Sequence, residues 1–331
     1  MRKFKHLQYL NLGENSFSGP IPYDFEQLTE LVLLVLSGNE NDYLSLEPTS
    51  FDKLVQNLTQ LRDLRLSMVD MSMVAPDSLM NLSSSLSSLQ LYSCRLQGKL
   101  PSSMRKFKHL QYLDLGENSF SGPIPYDFVQ LTELVSLALS GNENDYLSLE
   151  PTSFDKLVQN LTQLEELQLS SVDMSLVVPN FVMNLSSSLS LLTLYSCRLQ
   201  GKFPSLMTKF KHLQYLDLRN DLRLLGLSRT RISVDLGNDF FTNLKLLENL
   251  ALRDCNILRS NLTLIGHLTQ LTRLDLVDKW NLKARRMKKN ARRNGSNKIK
   301  LVKKPVARSN PRFSFQTKEL GSPYSDFCLL A

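Results

Sequence analysis

The sequence predicts an α/β solenoid of about eleven coils, with a parallel β-sheet along its concave side. Three observations predict this fold. The same long segment opens at Met1, Met104 and Met207, so a unit of 103 residues is written twice and begun a third time. Inside each full unit a shorter leucine pattern recurs every 24 to 30 residues. The composition, 42% hydrophobic and 21% charged, is that of an ordinary folded chain.

The short pattern is L-x-x-L-x-L-x-x-N, and each copy predicts one coil. In the first unit it begins at Leu7, Leu31, Leu61 and Leu86. The alternation L-x-L is typical of a short strand whose leucines point inward while the x residues point outward. Such coils bury their leucines only by stacking, so we expect their strands to form one parallel sheet.

The last position of the pattern predicts a ladder of turn residues. An asparagine amide can bond backbone groups that a bend leaves unpaired. Four coils carry asparagine there: Asn15, Asn39, Asn118 and Asn142. Three carry cysteine: Cys94, Cys197 and Cys255. Because Cys94 and Cys197 are four coils, or about 19 Å, apart, we expect buried thiols and no disulfide.

The coils extend over residues 1–278, as units 1–103 and 104–206 and a partial unit 207–278. Near Asn220 the leucine spacing fails, as if about one and a half coils were deleted. Residues 279–331 differ in composition, with 15 Lys or Arg against Glu319 and Asp326. We predict that this basic tail is disordered.

The basic tail is open to several interpretations. The stretch KARRMKKNARRNGSNKIKLVKK at 283–304 could be a nuclear signal, a nucleic-acid arm or a patch for acidic lipids. The tail starts where the leucine pattern of a coil stops partway. This favours the interpretation that the tail is read through from sequence outside the original repeat frame. The sequence therefore does not favour nucleic acid as a partner.

No group of residues predicts catalysis. The chain has neither a P-loop nor a kinase catalytic loop. His6, His109 and His212 are one position copied three times, which is more typical of a repeat than of a metal site. The sequence therefore predicts a protein that is not an enzyme and that needs no cofactor or metal. It contains no run of 18 apolar residues, so we expect no membrane span in this chain.

A further motif, x-F/L-x-G-x-I/L/F-P, follows the ladder position, most clearly at 17–22 and 120–125. With the long second coil NENDYLSLEPTSFDKLVQNLTQL and the coil LYSCRLQGKxP, it resembles the plant-specific extracellular class of leucine-rich repeats, in particular plant receptor-like proteins. The resemblance covers residues 1–278. It implies a receptor ectodomain on the extracellular side of the plasma membrane, with a receptor kinase as co-receptor. Because the family's signal peptide and cysteine-paired cap are missing, we interpret the chain as a fragment or as a gene model that begins at an internal methionine.

The two full units indicate where a ligand binds. They differ at 17 positions, nine of which are x positions of the strand pattern, and no inward strand leucine changed. Drift at exposed positions is the alternative, and five changes cluster instead on the convex side of the third coil, at positions 73–79. We predict a concave ligand-binding face that includes recurrent tyrosines, which suit binding. Its residues are Tyr9, Asn11, Asp63, Arg65, Gln90, Tyr92, Tyr112, Asp114, Glu166, Gln168, Thr193, Tyr195 and Tyr215.

Five sequons occupy one structural register, each just before the leucine that opens a coil. Glycans there would cover the back of the solenoid and leave the concave side open. The predicted glycosylation sites are Asn57, Asn81, Asn160, Asn184 and Asn261.

We therefore predict non-enzymatic recognition of an extracellular peptide, protein or glycan, in defence or developmental signalling. Two alternatives stay open from the sequence. One is an intracellular leucine-rich scaffold whose basic tail contacts the nucleus or nucleic acid. The other is a truncated, non-functional duplicate.

Overall fold

The computed structural model describes residues 4–38, 44–140, 147–205, 207–219, 232–241, 244–253, 255–260 and 262–276. All of them belong to one unit, Met1–Lys300. Several predicted features lie outside the described residues: Asn39, Asn142, Asn261, the break near Asn220 and the tail 279–331.

Short strands follow the leucine pattern along the whole described chain. Those of the first unit are β1 (Tyr9–Asn11), β2 (Gly19–Pro20), β3 (Leu33–Val35), β4 (Leu44–Ser45), β5 (Asp63–Arg65), β6 (Ser88–Gln90) and β7 (Gln97–Lys99). Those of the second are β8 (Tyr112–Asp114), β9 (Ser119–Pro123), β10 (Ser136–Ala138), β11 (Leu147–Ser148), β12 (Glu166–Gln168), β13 (Leu191–Thr193) and β14 (Gly201–Phe203). The remaining ones are β15 (Tyr215–Asp217), β16 (Ile232–Leu236), β17 (Asn249–Ala251), β18 (Asn256–Ser260) and β19 (Arg273–Asp275).

Eleven of these strands form one inner sheet. Its order is β1-β3-β5-β6-β8-β10-β12-β13-β15-β17-β19, one strand from each coil in chain order. All pairs are parallel and in the same register, so that Ser88, for example, faces Asp63 on one side and Tyr112 on the other. The prediction of a leucine-rich-repeat solenoid with a parallel sheet of about eleven coils is confirmed.

The irregular spacing near Asn220 does not interrupt the inner sheet. Strand β15 pairs directly with β17, with Tyr215 opposite Asn249 and Asp217 opposite Ala251. The same register continues to β19. The predicted deletion therefore leaves the stacking of the strands intact on either side of it.

The convex side carries two ten-residue helices, α1 (Pro48–Asn57) and α2 (Pro151–Asn160), and the one-turn helices α3 (Asn238–Phe241) and α4 (Leu262–Ile265). Elsewhere this side is built of 3₁₀ turns, at Tyr23–Gln27, Pro76–Asn81, Met104–Lys106, Tyr126–Gln130 and Pro179–Asn184. Coil length explains the difference: α1 and α2 lie in the long 30-residue coils, whereas the shorter coils leave too few residues for three helical turns.

Three small outer sheets flank the inner one, and the sequence reasoning did not predict them. They are β2-β4, β7-β9-β11 and β14-β16-β18, again with parallel pairing. Four of their strands, β2, β7, β9 and β14, lie in copies of the x-F/L-x-G-x-I/L/F-P motif. Gly122, within β9, has a φ of 82°, a conformation that side chains disfavour, which accounts for glycine at this place in the motif.

The core is continuous from coil to coil. The strand leucines Leu34, Leu64, Leu89 and Leu113 are buried against helix and turn residues such as Phe51, so one hydrophobic cluster separates the inner sheet from the convex side. No coil could bury these side chains alone, and stacking therefore supplies the stability.

The residue at the last position of the leucine pattern, the ladder position, lies at one side of this core. The Asn118 side chain, 1% exposed, donates hydrogen bonds to the carbonyls of Leu91 (2.7 Å), Leu115 and Gly116. Its Oδ1 accepts hydrogen bonds from the backbone N–H groups of Cys94 (3.1 Å) and Leu96 (3.0 Å) in the preceding coil. The amide thus bonds backbone groups at the bend, as the sequence predicts, and it also joins two coils.

The cysteines occupy the same ladder position, where the thiol is a weaker hydrogen-bond donor than the asparagine amide. The Cys94 thiol donates to the Leu66 carbonyl (3.0 Å) and the Cys255 thiol to the Leu218 carbonyl (3.0 Å). Cys94, Cys197 and Cys255 are buried and form no disulfide with one another. Burial raises the pKa of the Cys94 and Cys197 thiols, so both stay protonated at neutral pH.

Candidate ligand-binding face

The concave face is the side of the inner sheet opposite the leucine core. It is formed by the two outer residues of each three-residue strand, because side chains alternate along a strand. One row contains Tyr9, Leu33, Asp63, Ser88, Tyr112, Ser136, Glu166, Leu191, Tyr215, Asn249 and Arg273. The other contains Asn11, Val35, Arg65, Gln90, Asp114, Ala138, Gln168, Thr193, Asp217, Ala251 and Asp275.

The structure places every predicted binding residue on this face or at its border. Tyr9 and Asn11 are exposed on β1. Two tyrosines, Tyr92 and Tyr195, lie two residues beyond the ends of β6 and β13. Most of the others are half-buried, because neighbouring strands about 4.8 Å apart bring their side chains into contact.

Asp114 departs from the expectation that these positions are open to solvent. Its side chain is only 4% exposed, and its Oδ1 accepts a hydrogen bond from the Gly116 N–H at 2.9 Å. Burial raises the pKa of Asp114 to about 7, with Glu117 adding to the rise and the Gly116 hydrogen bond opposing it. In the described part of the chain no basic side chain forms an ion pair with it.

In the first copy of the face, the acidic Asp63 on strand β5 is neutralised by Arg65 on the same strand. Arg65 donates two hydrogen bonds to Asp63, from Nε to Oδ1 at 3.0 Å and from Nη2 to Oδ2 at 2.7 Å. A guanidinium held by both carboxylate oxygens has a fixed orientation, so this pair presents a defined polar surface.

The second copy carries acid without the arginine. Glu166 and Gln168 replace Asp63 and Arg65, and Glu166 accepts a hydrogen bond from the Ser136 hydroxyl at 3.0 Å. Burial raises the pKa of Glu166, opposed by the Ser136 hydrogen bond and assisted by Glu165. The pKa of Tyr112 is raised by burial and by the two glutamates. The centre of the face therefore carries acidic side chains where the first copy carries an acid–arginine pair.

The third unit contains arginines that the sequence reasoning missed. Arg219 Nε donates to both carboxylate oxygens of Asp217 (2.9 and 2.8 Å), and its guanidinium carbon lies 4.9 Å from the centre of the Tyr195 ring. Burial alone would lower the pKa of Arg219, but Asp217 raises it overall. In the next coils Arg253 Nη2 donates to Asp275 at 2.7 Å. Comparing only the two full units excluded these positions, although they follow the same leucine register.

Two polar atoms on the concave side of β6 have no hydrogen-bond partner among the described residues. They are Ser88 Oγ and Gln90 Nε2, and both atoms are buried. Such atoms are rare in folded proteins because an unpaired buried donor costs about 1–3 kcal/mol. They lie directly across from Tyr112 and Asp114 on β8.

The four described sequon asparagines lie away from the concave face. Asn57 and Asn160 end α1 and α2, Asn81 and Asn184 end two of the 3₁₀ turns, and all four are exposed. Since these elements pack on the other side of the core from the inner sheet, a glycan at any of them would project from the convex side.

Glycan attachment at these asparagines is a direct test of the predicted sites. We expect N-glycans on Asn57, Asn81, Asn160 and Asn184 when the chain is directed through a eukaryotic secretory pathway by an added leader. Peptide mass spectrometry after enzymatic deglycosylation would detect each one as a conversion of asparagine to aspartate. Full absence of the conversion from the secreted chain would contradict the expectation.

The described residues hold no group of three or more His, Cys, Asp or Glu side chains placed to bind a metal ion. Within the same residues no helix is long and apolar enough to cross a membrane.

Comparison with known proteins identifies the repeats as leucine-rich repeats and shows which proteins contain similar ones. Family models for the leucine-rich repeat match residues 84–143 and 6–28. Receptor-like protein 6 of Arabidopsis thaliana is 38% identical over 131 residues, covering 38% of this chain and 13% of the relative. Receptor-like protein 9DC1 of Solanum pimpinellifolium is 38% identical over 102 residues, covering 31% and 11%. The chain is thus similar to plant receptor-like proteins and spans a small part of their length.

Solved structures show the same fold. A TDR receptor matches with a TM-score of 0.61 and 24% identity, over 82% of this chain and 43% of the other. The plant peptide hormone receptor RGFR1, solved in complex with RGF2, matches with a TM-score of 0.56 and 24% identity, over 82% and 44%. At this identity the likeness concerns the fold alone.

Proposed function

We propose that this chain is a non-enzymatic recognition module that binds an extracellular peptide or protein on its concave face. The observation that carries the proposal is the distribution of change between its two copies. Nine of 17 substitutions fall on strand x positions while every inward strand leucine is kept. The proposal is supported by the strand registers, in which the changed residues Asp63, Arg65 and Gln90, and their counterparts, lie on one side of one sheet.

The tyrosine rings and charged groups of the concave face favour a peptide or protein ligand over a flat, uncharged ligand. The face alternates tyrosine rings with fixed charge, from the Asp63–Arg65 pair through Glu166 to the Asp217–Arg219 pair. Aromatic residues and arginine dominate the binding energy of protein interfaces, and complementary charge fixes the register of a bound partner. Glycan remains the alternative ligand class.

The wider context of the proposal comes from the relatives. Similarity to plant receptor-like proteins supports a place at the extracellular side of the plasma membrane, a role in defence or developmental signalling, and a receptor kinase as co-receptor. The neighbour RGFR1, a plant peptide hormone receptor solved in complex with RGF2, shares the fold, and the peptide class is extended to this chain as part of the proposal. The solenoid would supply specificity and the partner kinase the intracellular signal.

The proposal is tested by selecting ligands and then removing one tyrosine. Peptides are selected on the immobilised full chain from a phage-displayed random library, and the Kd of the best one is measured by calorimetry. We expect Tyr112→Ala to weaken binding about 10- to 100-fold, the loss typical of a central tyrosine.

The matched control is a tyrosine of the same coil on the convex side. Tyr126 is half exposed in the turn Tyr126–Gln130, and Tyr126→Ala should leave Kd within about twofold, as is usual for truncation away from an interface. Equal losses from the two variants, or no enrichment of any peptide, would refute concave recognition.

A further inference from the structure

An arginine site built from a tyrosine and an aspartate lies where the second unit meets the third. The Arg219 guanidinium is 4.9 Å from the centre of the Tyr195 ring and donates from Nε to both oxygens of Asp217. Asp217 is buried beneath it, at 1% exposure. Stacking on an aromatic ring and pairing with a carboxylate are the two interactions that guanidinium prefers.

The junction of the first and second units has the same tyrosine and aspartate but not the arginine. Offset by 103 residues, Tyr92 corresponds to Tyr195, Asp114 to Asp217 and Gly116 to Arg219. The local backbone is also the same: Asp114 Oδ1 accepts from the Gly116 N–H at 2.9 Å, and Asp217 Oδ1 accepts from the Arg219 N–H at 3.0 Å.

Tyr92 and Asp114 meet beside Gly116. A Cβ atom built on Gly116 would be 3.1 Å from Asp114 Oδ1 and 3.3 Å from Tyr92 Cδ2. Both distances are shorter than ordinary contacts, so the ring and the carboxylate pack closely around Gly116. They hold the sequence positions that Tyr195 and Asp217 hold beside the Arg219 guanidinium one unit further along the chain.

The surroundings of Asp114 favour a charged hydrogen-bonding group from outside the chain. Asp114 is 4% exposed, and its described surroundings supply no basic partner, whereas Asp63, Asp217 and Asp275 are each paired with an arginine. The Gln90 amide nitrogen opposite it is buried without a hydrogen-bond partner, as is Ser88 Oγ on the same strand. A ligand that carries a cation beside a carbonyl oxygen would satisfy both kinds of group.

We infer that Tyr92 and Asp114 form a subsite for an arginine side chain of the ligand, with Ser88 and Gln90 able to donate to the carbonyl groups beside it. The inference rests on the proposed function, since it names the chemistry that the concave face selects. It further implies that the second and third units differ in the source of this guanidinium, which the ligand supplies beside Asp114 and the chain supplies beside Asp217.

The test uses a small probe, so it does not depend on finding the natural ligand. The full chain is labelled with ¹³C on the tyrosine rings, and the Tyr92 resonance is assigned by its loss in Tyr92→Phe. N-acetyl-L-arginine amide is then titrated. We expect a saturable shift of the Tyr92 resonance, and none for Tyr126 on the convex side.

Three matched comparisons make the result specific. N-acetyl-citrulline amide, the neutral isostere, should bind about tenfold or more weakly, because the ion pair is lost. Asp114→Asn should weaken binding of the arginine probe by a similar factor. Glu165→Gln removes the same charge from an exposed position and should change affinity less than about threefold, as expected for a screened surface charge.

A reciprocal variant creates the site a second time. In Arg219→Gly the pair Tyr195–Asp217 acquires the composition of Tyr92–Asp114, and the Tyr195 resonance should begin to respond to the arginine probe. A Tyr92 that stays silent in the folded wild-type chain, equal binding of citrulline, or full binding by Asp114→Asn would overturn the inference. Any of these would leave the selection of library peptides by the concave face intact, so the two proposals fail separately.

Discussion

Asn118→Ala should lower the free energy of unfolding by about 4 kcal/mol, since each buried polar group left without a partner costs about 1–3 kcal/mol. The substitution removes the acceptor of the Cys94 and Leu96 N–H groups and the donor to the Leu91 carbonyl, all of them buried. These bonds join the fourth coil to the fifth, so their loss also weakens stacking in the middle of the sheet. Urea unfolding followed by circular dichroism measures the change.

The chain supplies two graded controls at the same position of the pattern. Asn15 is exposed, and among the described residues its side chain bonds only the Leu12 and Gly13 carbonyls of its own coil, so Asn15→Ala should cost less than about 1 kcal/mol. Cys94→Ala loses one weak thiol bond and a little buried volume, and should fall between the two, at about 1–2 kcal/mol. An Asn118 variant no less stable than the Asn15 variant would show that the ladder does not join the coils.

The features that follow from period and polarity were predictable from the sequence. Leucines at a fixed spacing, such as Leu61, Leu64 and Leu66, can be buried in only one way if coils stack, and this alone determines the parallel inner sheet and its register. The burial of Cys94 followed from its place in the same pattern. These are properties of residues that every coil repeats.

What the sequence did not reveal depends on how neighbouring coils meet. The outer sheets arise from backbone pairing, for which the motif around Gly122 gives only an indirect signal. Convex segments became 3₁₀ turns because coil length, not helix propensity, limits them. The burial of Asp114 reflects the side chains around it, and so does the stacking of Arg219 on Tyr195. Each depends on contacts between residues about 24 positions apart, and a single coil does not encode them.

Asp114→Asn should stabilise the chain at pH 8 by on the order of 4 kcal/mol and have little effect near pH 4. The pKa of Asp114 is raised by burial from an ordinary 3.8 to about 7 in the folded chain. Between these values the folded chain keeps a proton that the unfolded chain releases. Stability therefore falls as the pH rises through this window, and above it the folded state retains the full cost of a buried charge.

The Asp114→Asn variant isolates the cost of the buried charge, because the first copy already has asparagine, Asn11, at this position. Asn11 accepts the Gly13 N–H at 2.9 Å just as Asp114 accepts the Gly116 N–H, so the turn should survive the substitution. Around Asp114 the titratable groups are Glu117 on its own coil and Tyr92 and the protonated Cys94 thiol on the preceding one, while the following coil offers Ala138 and Ser140.

The measurement is the difference in unfolding free energy between the two chains from pH 4 to pH 8. A parallel pH dependence in wild type and variant would mean that Asp114 titrates normally, as an exposed carboxyl does. A difference that opens between pH 4 and 7 would mean that the folded chain retains a buried charge that lowers its stability. Because binding an arginine side chain would compensate that charge, stability lost at this residue in the free chain would be recovered in the complex.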